Sequence, residues 1–221
     1  AFPGTDRNAN GVGGWSLYGH LGGDVGDSAS WRAGLGYLST RSQERESGLF
    51  DLADAPAQAF FSGDSATWVA DLVWKWAPDG NPVERNFKFA AEAFRRVEDG
   101  TLACLDNTGA GGVCTGLADA YASRQWGGYA QAVYQFMPRW RVGYRHDQLA
   151  AGSVDYGLNA AFLPAASANP RRDGLMLDFS PSEFSRLRLQ VGRDDAYGGE
   201  SSRLWILQYS MSLGSHGAHK F

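Results

Sequence analysis

The sequence predicts an all-β protein, an antiparallel up-and-down sheet of about nine strands forming a transmembrane β-barrel. Three observations predict it. Nine segments alternate apolar and polar residues, which sends successive side chains to opposite faces of a sheet. The connections between them alternate short and long, as in an up-and-down meander with one plain rim and one elaborated rim. Unbroken apolar runs such as Leu204 to Leu207 fall far short of the ~18 residues of a membrane-crossing helix.

The segments follow in order. Trp15, Leu17 and Leu21 stand opposite Ser16, Tyr18 and His20, and Trp31, Ala33, Leu35 and Tyr37 opposite Arg32, Gly34 and Gly36. Trp68, Ala70, Leu72, Trp74 and Trp76 stand opposite Asp71 and Lys75. Phe87, Phe89, Ala91 and Ala93 face away from Asn86, Lys88 and Glu92. Trp126, Ala130, Ala132, Tyr134 and Phe136 share a face against Tyr129, Gln131 and Gln135. Trp140, Val142 and Tyr144 alternate with Arg141, Gly143 and Arg145, and Leu175, Leu177 and Phe179 with Gly174, Met176 and Asp178. Leu187, Leu189 and Val191 alternate with Arg186, Arg188 and Gln190. The last segment is the clearest: Trp205, Leu207, Tyr209, Met211 and Leu213 against Gln208, Ser210 and Ser212. Most read as strands of roughly nine to twelve residues. Short turns fall at 23–30, 78–82, 137–139 and 180–183, and long loops at 41–64, 98–121 and 148–170, with a shorter one at 194–202.

Composition narrows the function classes. A net charge of −4 and a pI near 5.5 argue against a nucleic-acid partner, which calls for a basic face. A hydrophobic content of 43% argues against disorder. A soluble barrel or sandwich would bury the apolar face; a transmembrane barrel turns it outward to lipid and lines a wet lumen with polar side chains. Three features favour the second. Strand lengths suit the ~9–11 tilted residues that cross a bilayer. Aromatics sit at strand ends (Trp15, Trp31, Trp68, Trp76, Trp126, Phe136, Trp140), where interfacial girdles belong. The polar face is rich in glycine and in charges of both signs.

In bacterial outer-membrane barrels the short turns are periplasmic and the long loops extracellular. The last strand then ends in the periplasm, with 214–221 as a tail. The first strand also descends, which sets residue 1 outside. The expectation is a single barrel domain over 1–221 that forms the C-terminal part of a longer barrel protein, with residues 1–12 as half of an extracellular loop.

The tail SLGSHGAHKF, with the preceding LWILQYSM, resembles the C-terminus of a proteobacterial outer-membrane family described as zinc-regulated TonB-dependent receptors. AFPGTDRNANG, GHLGGDVGDSASWRAGLGYL and QWGGYAQAVYQFMPRWRVGYRHDQL are similar to internal segments of the same family. The resemblance spans most of the chain and implies the bacterial outer membrane and an additional N-terminal half. A TonB-dependent transporter needs a plug domain, which this sequence does not show, so the resemblance implies a porin-like protein.

The charged inward face is the leading functional candidate: Asp71, Lys75, Lys88, Glu92, Arg141, Arg145, Asp178, Arg186 and Arg188. Such residues set ion selectivity in a pore, or pair across strands to brace the wall. Cys104 and Cys114, in a Gly-rich stretch, read as a small disulfide in an oxidising compartment rather than as two free thiols. His216 and His219 (HGAH) are a candidate zinc pair, weighed against a solvated tail. DRNANG, from Asp6, matches the first half of a calcium loop, but Leu17 stands where the closing glutamate belongs. No cofactor is therefore expected, with zinc or calcium the only candidates. No nucleophile–base set is visible, so an enzyme is not expected. The expected function is a channel for small solutes or ions. The alternative is a structural barrel serving as envelope scaffold or docking platform. Expected partners are outer-membrane lipid and lipopolysaccharide, and the N-terminal barrel half or other envelope proteins.

Overall fold

The computed structural model describes residues 13–106, 109, 111–167, 169–197 and 200–212. Nine strands follow one another: β1 Gly14–Val25, β2 Ala29–Phe50, β3 Pro56–Trp76, β4 Asn86–Leu105, β5 Thr115–Met137, β6 Trp140–Asp155, β7 Arg171–Ser182, β8 Ser185–Tyr197 and β9 Glu200–Met211. They form one antiparallel sheet in sequence order. Among the described residues the sheet is open, with β1 and β9 at its edges. Among the described residues, helix is confined to two short 3-10 turns, Pro78–Gly80 and Gly157–Ala161.

The expected face assignments follow from the register. Trp31, Trp74, Phe89, Ala132, Tyr144, Leu175, Val191 and Trp205 form one cross-strand row from β2 to β9, so all share a face. The four short turns lie together at one end of the sheet, called here the turn end.

Four strands are twice as long as expected. β2, β3, β4 and β5 have 22, 21, 20 and 23 residues. Most of the stretch 41–64 is not loop: apart from one irregularity, the β2–β3 ladder runs on to Phe50 opposite Pro56. Likewise the β4–β5 ladder continues through Leu105 opposite Thr115, and β6 runs to Asp155.

Within these long strands the apolar stripe changes faces. On β3, Trp68, Ala70, Leu72, Trp74 and Trp76 point to one side; nearer the far end, Ala57, Ala59 and Phe61 point to the other and are buried. The β3–β4 register is unbroken from Gln58 to Trp76, so no bulge causes the switch. β4 repeats it, with Phe87, Phe89, Ala91 and Ala93 on the first face and buried Leu102 and Cys104 on the second. Apart from Phe60, the first face of β3 beyond Trp68 carries small or polar residues, among them Asp64, Ser62 and Gln58. There the Arg41 guanidinium bonds the Asp64 carboxylate at 2.9 Å.

The far end therefore has its own core. Ala57, Ala59, Phe61, Leu102, Cys104, Cys114 and Leu163 pack together, with Tyr121 and Tyr156 against them. The Gly157–Ala161 turn closes over this core, and its buried Asn159 donates from Nδ2 to the Leu102 carbonyl at 2.8 Å. A bulge in β2 between Ser42 and Arg45 adds one residue and turns Arg45 inward. Its guanidinium lies 2.8 Å from Glu98 and 4.8 Å above the Phe61 ring.

The apolar band crosses the sheet obliquely. On β9 it ends at Trp205, next to Arg203; the row through Trp205 meets β3 at Trp74, six residues from Trp68, where the β3 stripe ends. Six residues of ~3.3 Å over six strand spacings of ~4.8 Å make an angle of ~35°.

Candidate functional site

All nine charged candidates lie on the polar face, on strands β3, β4, β6, β7 and β8. Six strands, β4 to β9, line one cavity of about 760 Å³ on that face, so the sheet curls around it. Lys88, Arg141, Arg145, Asp178 and Arg188 are in its wall.

The expected bracing across strands is seen within this set at one pair. The Arg188 guanidinium grips Asp178 through Nε and Nη2 at 2.6 and 2.8 Å, and Asp178 is 1% exposed. The other members are arranged differently. Arg145 pairs with Asp147 two residues along its own strand and stacks 4.0 Å over the Tyr129 ring. Arg141 reaches Ser180 Oγ at 3.3 Å. Asp71 accepts from His20 Nε2 at 3.1 Å, with Arg32 3.8 Å away. This contact joins β1 to β3 across β2, and Gly34 permits it, because a Cβ there would overlap both side chains. Like charges also stand directly opposite: Lys75 faces Lys88, and Asp71 faces Glu92.

Sequence reasoning missed part of the same wall. Asp147, Arg172 and Asp194 line the cavity with Gln131 and Gln190, and Arg172 Nε lies 3.5 Å from Asp194. Extending the alternation two residues beyond Arg145 and Gly174 would have reached Asp147 and Arg172. His20 was visible only as an isolated histidine, because its partner is 51 residues away.

Cys104 and Cys114 are disulfide-bonded, with Cα atoms 5.2 Å apart. Cys104 sits in the β4 ladder opposite Ala59, and both cysteines are buried in the far-end core. The bridge is thus a core element rather than a clasp on a free loop. Nearby, Glu98 is 1% exposed. Burial works to raise its carboxyl, but the guanidiniums of Arg45 and Arg96 outweigh that and hold it below the usual glutamate value. Asp51 fastens the β2–β3 turn to the disulfide loop by accepting from the amides of Ala53, Ala55 and Val113 at 2.9, 3.0 and 2.6 Å.

His216, His219, the 214–221 tail and the Asp6–Gly11 segment lie outside the described residues. Among the described residues, no three His, Cys, Asp or Glu side chains converge as a metal site.

The chain is 28% identical over 207 residues to an uncharacterized protein of Aquifex aeolicus (strain VF5). The match takes in 90% of this chain but spans only 38% of that protein's length. No protein-family model matches the chain, and no solved structure matches it.

Proposed function

We propose that this chain is part of a β-barrel of a bacterial outer membrane, and that its polar face lines a channel for small solutes or ions. The observation that carries this reading is the switch of the apolar stripe from one face to the other within single strands. A strand crossing lipid must turn its apolar side chains outward, and one standing in water must turn them inward. β3 and β4 follow the first rule near the turn end and the second near the far end. From Trp68 to Trp76 the stripe covers eight residue steps, about 22 Å along the membrane normal at a ~35° tilt, against an expected apolar band of ~25 Å and tilts of ~35–45°. Rings mark the far edge of the band: Trp15 lies 5.0 Å from Tyr37, and Tyr37 4.5 Å from Trp68.

An open edge in hydrocarbon leaves backbone N–H and C=O groups unpaired at several kcal/mol each, so β1 and β9 require partner strands. Further strands of a longer protein would supply them, in keeping with the greater length of the Aquifex protein and with the family resemblance. Lipid and lipopolysaccharide would surround the band, the short turns would face the periplasm and the disulfide-bonded extension the exterior. The extension also favours a second role as a docking platform. Conductance across a planar bilayer separates the two: stepwise ion current supports the channel, and a folded but silent protein supports the platform.

A further inference from the structure

We infer, building on the channel reading above, that the turn-end mouth of the lumen carries an arc of cationic side chains that selects small oxyanions such as inorganic phosphate. The residues are Lys75 on β3, Lys88 on β4, Arg141 on β6, and Arg186 and Arg188 on β8. Their levels follow from the oblique band. The row through Lys75 and Lys88 passes Gly143 on β6 and Gln190 on β8. Arg141 lies two residues turnward of that row and Arg186 four. A band that descends about one residue per strand brings Lys75, Lys88, Arg141 and Arg186 to nearly one height. Four cations from four strands therefore ring the same section of the lumen, and Arg188 stands just above them.

Less negative charge offsets them. Among the described residues, two acids lie near this level on the lumen face: Asp178, buried and engaged by Arg188 through both carboxylate oxygens, and Asp24 on β1, which stands in the row of Ser30 and Lys75, two strands from Lys75. Asp71 and Glu92 lie four residues up their strands, about 13 Å away at strand spacing. Among the described residues, Lys75, Lys88 and Arg186 have no ion-pair partner. The lysines are directly opposite one another and exposed, an arrangement that costs stability in a sheet. A wall built only for bracing would pair them with acids. The whole chain is net negative at −4, so the local excess is not a matter of composition. The adjoining cavity adds neutral amides from Asn86, Gln131 and Gln190 that can donate to an anion entering it. Rings of Arg and Lys are how pores favour anions and phosphate.

The test is the reversal potential of the native protein in planar bilayers under a KCl gradient, followed by addition of inorganic phosphate. The expected results are a chloride-to-potassium permeability ratio above unity and a chloride current that phosphate blocks. In Lys75→Glu/Lys88→Glu the ratio should fall below unity and the block should disappear. Lys75→Gln/Lys88→Gln, with folding checked by β-sheet circular dichroism, should give an intermediate ratio and covers the case in which the charge-reversed variant fails to fold. A conducting but unselective or cation-selective wild type, or variants with unchanged selectivity, would overturn the anion arc and leave the channel standing. A folded protein without conductance would overturn the channel reading itself, and the arc with it.

Discussion

Ala90 and Ala91 are neighbours of the same type on β4, yet in the proposed barrel they face opposite solvents. Ala91 lies in the row of Leu72 and Ala130 on the apolar face, and Ala90 in the row of Val73 and Gln131 on the polar face. Ala91 is four residues from both Phe87 and Arg95, which places it ~11 Å from each edge of the band at a ~35° tilt. Arginine at that depth on a barrel exterior costs ~2–4 kcal/mol, a factor of ~30 to 1,000 in the folding equilibrium. Ala91→Arg should lose that much stability, whereas Ala90→Arg, facing a wet lumen, should lose less than ~1 kcal/mol. Urea titration of folding into lipid vesicles, read by tryptophan fluorescence, measures both. Leu72→Arg should behave like Ala91→Arg, and Leu207→Arg, two residues inside the band's edge at Trp205, should lose less. Lys88→Gln should leave assembly nearly intact, whereas Arg188→Gln leaves the buried Asp178 without its partner and should be destabilising in its own right. If Ala91→Arg and Ala90→Arg agree within ~0.5 kcal/mol, as two exposed sites on a soluble sheet would, the inside-out assignment fails.

Three further outcomes follow from the far-end extension. Proteinase added to intact cells should cut at the 51–55 turn, the 109–113 loop or the 163–170 segment, and should spare the paired stretches 45–50 and 56–64; cleavage within 78–82 or 137–139 would reverse the orientation. Cys104→Ala/Cys114→Ala opens a loop shorter than the 15-residue case worth ~3 kcal/mol, so the extension should lose up to about that much while the band's own unfolding temperature barely moves, as differential scanning calorimetry can resolve. Glu98 has a depressed folded-state pKa, so its contribution is present above its unfolded value near 4.5 and is lost as pH falls through the folded value. Near-ultraviolet circular dichroism of the Phe61–Tyr121 cluster should collapse in that acid range, and Glu98→Gln should show the weakened signal already at neutral pH.

The strands that cross the apolar band were legible because one parity of residues stays apolar for the length of each segment, as in Trp68 to Trp76. The same strands were lost at the point where the stripe changes faces. Past Trp68 the apolar parity fades at Ser65 and Asp64 and returns at Phe61 on the other side, so a single-period template reads the switch as the end of a strand. Residues 98–121 fail for the same reason, with glycine and the disulfide loop adding to the impression of coil. Parity alone placed the charged residues on one polar face, but it did not give their partners. Asp178 with Arg188 is a nearest-neighbour pair on adjoining strands. His20 with Asp71 depends on a glycine in the strand between them, which alternation does not reveal. The β2 bulge that turns Arg45 toward Glu98 carries no turn-forming signature at Gln43 and Glu44, although Glu44 adopts a φ of 50°.

In the proposed barrel the face bearing Trp68, Ala70, Leu72, Trp74 and Trp76 meets lipid while the face between them meets water. Spin labels placed singly at each position from 69 to 75 in the reconstituted protein, whose native cysteines are already bonded to each other, test it directly by electron paramagnetic resonance. Period-two alternation is expected, with oxygen reaching labels at 70, 72 and 74 and a water-soluble nickel relaxant reaching those at 69, 71, 73 and 75. Nickel access at both parities, or oxygen access that favours the odd positions, would contradict it.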